Sequence, residues 1–136
     1  LRPHRGGAGA FRSGFGELME VGSTEGFEFD IQAMFDRLKY PARGRRGGCN
    51  GAVTKVSLDD GKLLKGKGKQ SVPYGLKVKM AFPGGAGYGD PLKRDLDQVK
   101  SDLRMGFITP EYASKYHNFN NEEFFNKINF PNKKEV

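Results

Sequence analysis

Four glycines fall within six residues of the stretch Pro83-Gly84-Gly85-Ala86-Gly87-Tyr88-Gly89-Asp90-Pro91. No other segment restricts the fold as much, because glycine permits φ > 0 and backbone paths that a Cβ would block. Just before it, residues 76–82 alternate apolar and polar side chains, which predicts a strand. Just after it, Leu92, Leu96, Val99 and Leu103 recur at helical spacing, which predicts a helix over 92–105 ended by Gly106. Strand, glycine loop and helix is also the layout of phosphate-binding loops, so the run either cradles an anion or packs chain against chain.

The residues after the last glycine favour packing. A phosphate loop places Lys and then Ser or Thr there, whereas this chain has Asp90 and Pro91, a carboxylate and a residue without an N–H. The dinucleotide spacing G-x-G-x-x-G fails too, since Gly85, Gly87 and Gly89 are two apart throughout. Gly61-Lys62-Leu63-Leu64-Lys65-Gly66-Lys67 satisfies the first seven positions of a phosphate loop, but Gly68 occupies the place of the metal-binding hydroxyl. Neither glycine segment therefore carries a nucleotide site.

Charge is unevenly spread. The net charge is +7, with 12 Lys/Arg from Arg37 to Lys79 facing Asp59, Asp60 and, just outside, Asp36. A polyanion footprint and a surface matched to an acidic partner both account for this excess. Within it, Arg43-Gly44-Arg45-Arg46-Gly47-Gly48 is similar to an arginine–glycine RNA tract, and an RNA- or anion-binding module over 37–79 is the alternative function. Residues 62–69 lack the aromatic side chains on which bases stack, which makes nucleic acid the weaker partner.

The apolar fraction is 36%, low for a self-sufficient globular domain, and suits extended loops buried by a partner. Alternation predicts further strands at 17–21 and 27–31, and another at 52–58. Residues 32–38 fit a short helix or a strand. Asp59-Asp60-Gly61 is a hairpin turn signal leading into a second arm over 62–69. Thr109-Pro110-Glu111 starts a helix with Tyr112, Ala113 and Tyr116 inward, and Asn121 with Glu122 opens a third. The expected class is α+β: a glycine-rich, mainly antiparallel β module over 5–91, two or three short helices over 92–130, and a tail at 131–136, forming one module.

Catalytic groups are sparse. His4 and His117 are far apart in sequence and lack ligand-spaced neighbours, Asp59–Asp60 and Glu122–Glu123 read as turn and helix-start residues, and no Ser or Cys sits in a nucleophile elbow. Cys49 is the single cysteine. With no signal-peptide or long apolar pattern, the expectation is a cytoplasmic chain, off the membrane, with no catalytic, cofactor or metal residue of its own.

Several segments, read in order, resemble the hydantoinase B/oxoprolinase family. Residues 6–16 are similar to its G-G-x-G-x-[FY]-R-G-G-x-G element, with Ser13 in place of a glycine. Gly47, Gly48, Gly51, Gly61, Leu64, Lys65 and Lys67 follow its next glycine and lysine pattern, and Pro73 with Gly75 its turn. Residues 83–91 resemble its P-G-G-G-G-Y-G-D-P signature, with Ala86 replacing one glycine. Arg94, Asp95, Val99, Asp102, Gly106, Ala113 and Tyr116 resemble its closing pattern. The resemblance implies the C-terminal part only of a much longer subunit, whose metal-binding and substrate-processing residues belong to earlier segments.

It further implies a small non-catalytic subunit of an ATP-dependent carboxylase related to the hydantoinases and acetone carboxylases, acting on an aromatic ketone such as acetophenone. Larger hydantoinase A-like and B-like subunits would be its partners, and ATP and a divalent metal would bind to them. The residues expected to be structural or to face those partners are Gly6, Gly7, Arg12, Gly47, Gly48, Gly84, Gly85, Gly87, Tyr88, Gly89, Asp90, Arg94 and Asp95. Phe27, Phe29, Phe107, Phe119, Phe124 and Phe125 are the candidates for apolar interface area.

Overall fold

The computed structural model describes residues 5–128, so His4 and the expected tail at 131–136 lie outside the described residues. The fold is α+β. Five strands, β1 (Glu17–Val21), β2 (Phe29–Met34), β3 (Lys55–Leu58), β4 (Lys67–Val72) and β5 (Val78–Phe82), precede a 3₁₀ turn at Pro91–Lys93. The helices α1 (Leu96–Arg104), α2 (Pro110–His117) and α3 (Glu122–Asn126) follow.

All strand pairs are antiparallel: β1-β5-β3 form one sheet and β2-β4 the other. The open choice at 32–38 resolves as strand through Met34, because β2 finds a full-length partner, Phe29 opposite Val72 and Met34 opposite Lys67. That pairing also corrects the expected single arm over 62–69. Only its first residues fold back on β3, with Leu64 N–H donating to the Val56 carbonyl at 3.1 Å. Beyond Gly66 the chain leaves that sheet and enters β4 beside β2. The strand expected over 52–58 shortens in the same way to β3.

Both sheets share one core of Val56, Leu58, Val72 and Val78, against which Phe29, Ile31, Phe35 and Leu64 pack. The helices have their own core of Val99, Leu103, Ile108, Ala113 and Phe119, closed by Phe124, Phe125 and Ile128. Consequently most of the phenylalanines taken as interface candidates are internal: Phe119 is buried and Phe29, Phe124 and Phe125 pack on the cores, leaving Phe27 exposed. The helix expected to begin at Leu92 instead begins at Leu96. Asp90 caps the 3₁₀ turn by accepting from Leu92 N–H at 3.0 Å, and Asp95 caps α1 by accepting from Gln98 N–H at 2.9 Å. Two successive caps split the predicted helix, and Leu92 and Leu96 are left exposed.

Between the two cores, three glycine-rich segments interlace, residues 5–11, 42–52 and 84–89. Cys49 N–H donates to the Ala8 carbonyl at 2.7 Å while its own carbonyl accepts from Gly87 N–H at 2.9 Å. Gly7 N–H donates to Gly85 at 2.9 Å, and Arg45 N–H to Gly87 at 3.1 Å. Each segment thus satisfies backbone groups of the other two, which a buried loop must do. The approach leaves no room for side chains: a Cβ on Gly87 would collide with the Ala8 carbonyl, and one on Gly48 with the Gly87 carbonyl. In the 83–91 run only Gly89 has positive φ, at 75°, so close contact is what demands the other glycines there.

Gly87→Ala is therefore expected to destabilise the fold by at least about 3 kcal/mol, the upper range for overpacking, because the opposing atoms are backbone. Gly14→Ala, where nothing lies within 4 Å of the added carbon, should change stability by under about 1 kcal/mol. Urea melts of the two variants check both outcomes.

Candidate functional site

The densest group of buried polar side chains lies where the glycine segments meet the helices. Asp102 projects from the apolar face of α1, between Val99 and Leu103, and is 5% exposed. Two arginines hold it. Arg12, directly after the first glycine segment, donates Nε to Oδ2 at 2.9 Å and Nη2 to Oδ1 at 3.1 Å, a two-point fork. Arg94, from the turn before α1, donates Nη2 to Oδ2 at 2.8 Å. The Arg12 guanidinium also lies 4.2 Å from the centre of the Phe15 ring, and Phe15 stacks on Phe107 at 4.4 Å.

Two cations facing one carboxylate leave the cluster with a net positive charge. Burial lowers the Arg94 pKa, and Asp102 opposes that shift. The Nε and Nη1 atoms of Arg94 are buried without a hydrogen-bond acceptor. Tyr112 of α2 donates its hydroxyl to the Gly6 carbonyl at 3.4 Å, and burial pushes its pKa up to about 12. His117, at the end of α2, is 2.8 Å through Nδ1 from the Pro91 carbonyl, so Nδ1 carries the hydrogen. Burial lowers the His117 pKa, with the bond to Pro91 acting against it, so the ring is neutral at pH 7.

These contacts tie α1 to Arg12, just past the first glycine segment, and α2 to Gly6 within that segment and to Pro91 of the 3₁₀ turn. The cavity they enclose, lined by Gly6, Arg12, Asp102, Phe107, Tyr112 and His117, has a volume of about 20 Å³. That is room for about one water, far below the several hundred Å³ of a small-molecule site. The arrangement can orient and lock; it has no space to bind a substrate. Among the described residues no three His, Cys, Asp or Glu side chains come together to hold a metal ion. The donor set does not fit a catalytic metal. Likewise no helix among the described residues is long and apolar enough to cross a membrane.

The residues singled out in the sequence fall into three places. Gly6, Gly7, Gly48, Gly84, Gly85, Gly87 and Gly89 lie in the interlaced segments, with Gly47 at their turn, where its φ is 89°. Asp90 and Asp95 are caps, their carboxylates spent on backbone N–H groups. Arg12 and Arg94 enter the buried cluster, and Tyr88 stands exposed on the outer side. Sequence reasoning misses three members of the cluster as site residues: Asp102, Tyr112 and His117. Asp102 does leave a signal, a carboxylate within the apolar stripe of a helix; Tyr112 and His117 leave none, because their partners are backbone carbonyls distant in sequence.

Asp102→Ala is expected to destabilise the protein by about 3–5 kcal/mol, since it strands a buried arginine without its counter-charge. Arg12→Ala should cost less, because a third of that side chain is exposed. Denaturant unfolding of both variants, read by circular dichroism, tests the ranking.

Known proteins share both the sequence pattern and the fold. The chain is 33% identical over 122 residues to a protein of Pseudomonas sp. (strain NS671) named as the B component of a D-/L-hydantoinase, covering 83% of this chain and 20% of that one. A crystal structure of the ATP-dependent caprolactamase from Pseudomonas jessenii shares the fold with a TM-score of 0.69 at 24% identity, over 90% of this chain and 23% of that one. A nucleotide-free acetone carboxylase structure matches with a TM-score of 0.54 at 16% identity, over 86% of this chain and 20% of that one. The chain thus spans about a fifth of the length of these relatives. The Hydantoinase B/oxoprolinase family profile matches residues 1–91, two thirds of the sequence and the whole of the interlaced glycine region, and the chain belongs to that family.

Proposed function

We propose that this chain is a non-catalytic small subunit of a hetero-oligomeric ATP-dependent carboxylase, completing the C-terminal region of a larger hydantoinase B-like subunit. The observation that carries the reading is the disparity in coverage: nearly all of this chain aligns with only about a fifth of each relative. A module of that kind contributes shape and surface to a larger subunit. Its buried charges support the reading, because Arg12 and Arg94 are spent on Asp102 at 2.9 and 2.8 Å, and the cavity beside Arg12 and Asp102 holds only about 20 Å³.

Within this reading the partners are larger hydantoinase A-like and B-like subunits. ATP and a divalent metal bind on those partners, and the substrate is an aromatic ketone such as acetophenone. The alternative, an RNA- or anion-binding module over Arg37 to Lys79, has less support. Lys67, Lys69 and Lys79 in that stretch are paired with Asp36, Asp30 and Glu20 at 3.1, 2.8 and 3.4 Å. Three of the 12 basic residues of the stretch are thus answered on the surface of the protein itself.

Reconstitution separates these readings. The larger A-like and B-like subunits, purified with and without this chain, are assayed for ATP-dependent incorporation of labelled bicarbonate into acetophenone. Turnover that requires the chain, with none from the chain alone, is expected. Full turnover without it, or turnover by the isolated chain, would contradict the proposal.

A further inference from the structure

The outer face of the interlaced glycine segments carries a row of three exposed side chains that the fold itself does not use. Tyr88 lies between two neighbours. On one side it exchanges two backbone hydrogen bonds with Phe11, each 3.0 Å, and on the other it bridges Arg45 through Arg45 N–H to Gly87 and Gly89 N–H to Arg45, at 3.1 and 2.9 Å. Bridged residues project to the same face, so Phe11, Tyr88 and Arg45 stand side by side. The two rings are 6.4 Å apart, and Phe11 and Tyr88 are 68% and 47% exposed.

We infer that this row is the docking surface for the larger hydantoinase B-type chain, which would meet it with a carboxylate-bearing, apolar face; the inference rests on the function proposed above. Three observations favour that occupant. The relatives are about four times longer than this chain, so most of the family's fold lies outside it. The row holds tyrosine and arginine, two of the residue types that dominate binding energy at protein interfaces, beside a second aromatic ring. The backbone of Phe11 and Tyr88 is closely packed against Gly9, which limits the ordering entropy lost on binding.

Charge selects the partner further. Arg43, Arg45 and Arg46 are exposed and form no ion pair among the described residues, in contrast to Lys67, Lys69 and Lys79. Arg45 thus sets an unpaired positive charge beside the two rings, with Arg43 and Arg46 close to it in sequence. An acidic, apolar protein surface complements it.

Calorimetric titration of the full chain into the purified, larger B-type chain tests the inference. Phe11→Ser/Tyr88→Ser is expected to weaken binding by about 100-fold or more, as loss of an interface hot spot does. Arg45→Glu, a separate change that keeps both rings, should weaken it as well and reduce its dependence on salt. Melting curves of all variants should match the parent, since the side chains are exposed. Tyr74→Ser, at another exposed aromatic residue, should bind like the parent. If the parent binds and the row variants bind equally well, the docking surface is wrong while the proposed function stands. If the parent does not bind at all, the proposed function itself fails. Salt-steep binding of an RNA oligonucleotide, lost in Arg45→Glu, in place of binding to the larger chain would overturn both.

Discussion

Backbone contact between the three glycine segments is the constraint on which the rest of this structure depends. Side-chain cores tolerate adjustment, because a rotamer can move; a carbonyl oxygen against a glycine Cα has no such freedom. Cys49 gives a hydrogen bond to one neighbour and takes one from the other, so residues 5–11 and 84–89 are held in one register through it. The sheets and the helices each have their own small apolar core. With so few large apolar residues, the chain could not unite the two by hydrophobic burial alone.

The charged cluster completes what the glycines begin. Arg12 leaves the first glycine segment and reaches Asp102 on α1, 90 residues away in sequence. A buried ion pair is a weak source of net stability but a strong source of specificity, since a mismatched arrangement leaves a charge without a partner. Here it fixes how the helices sit against the glycine joint, assisted by Tyr112 and His117. The same locking leaves Tyr88 and Phe11 on a rigid outer face, which is the property a docking surface requires.

Much of this was legible in the residues. Clean alternation located β5 and looser alternation β1, and Thr109-Pro110 located the start of α2, because those signals are local. The split of the expected helix at 92–105 was also written in the sequence: Asp95 and Gln98 have capping-box spacing, and Asp90 before Pro91 caps a turn of its own. The partner of β4 was not legible. Lys67-Gly68-Lys69-Gln70-Ser71 carries no apolar alternation, so only the non-local match to β2 decides its sheet. The glycine run announced that side chains were excluded, yet not which carbonyls excluded them, since those come from segments about 40 and 80 residues upstream. Asp102 shows the same limit: its misplaced polarity was visible, its two arginines were not.

The central claim is that the glycine joint is the last part of the module to open. Native-state amide hydrogen exchange measures this directly. Gly7, Cys49 and Gly87 should exchange only through global unfolding, with the same opening free energy as the most protected amides of β5. Rapid exchange at those three positions while the sheets stay protected would show that the segments are loosely apposed loops, and the account would fail.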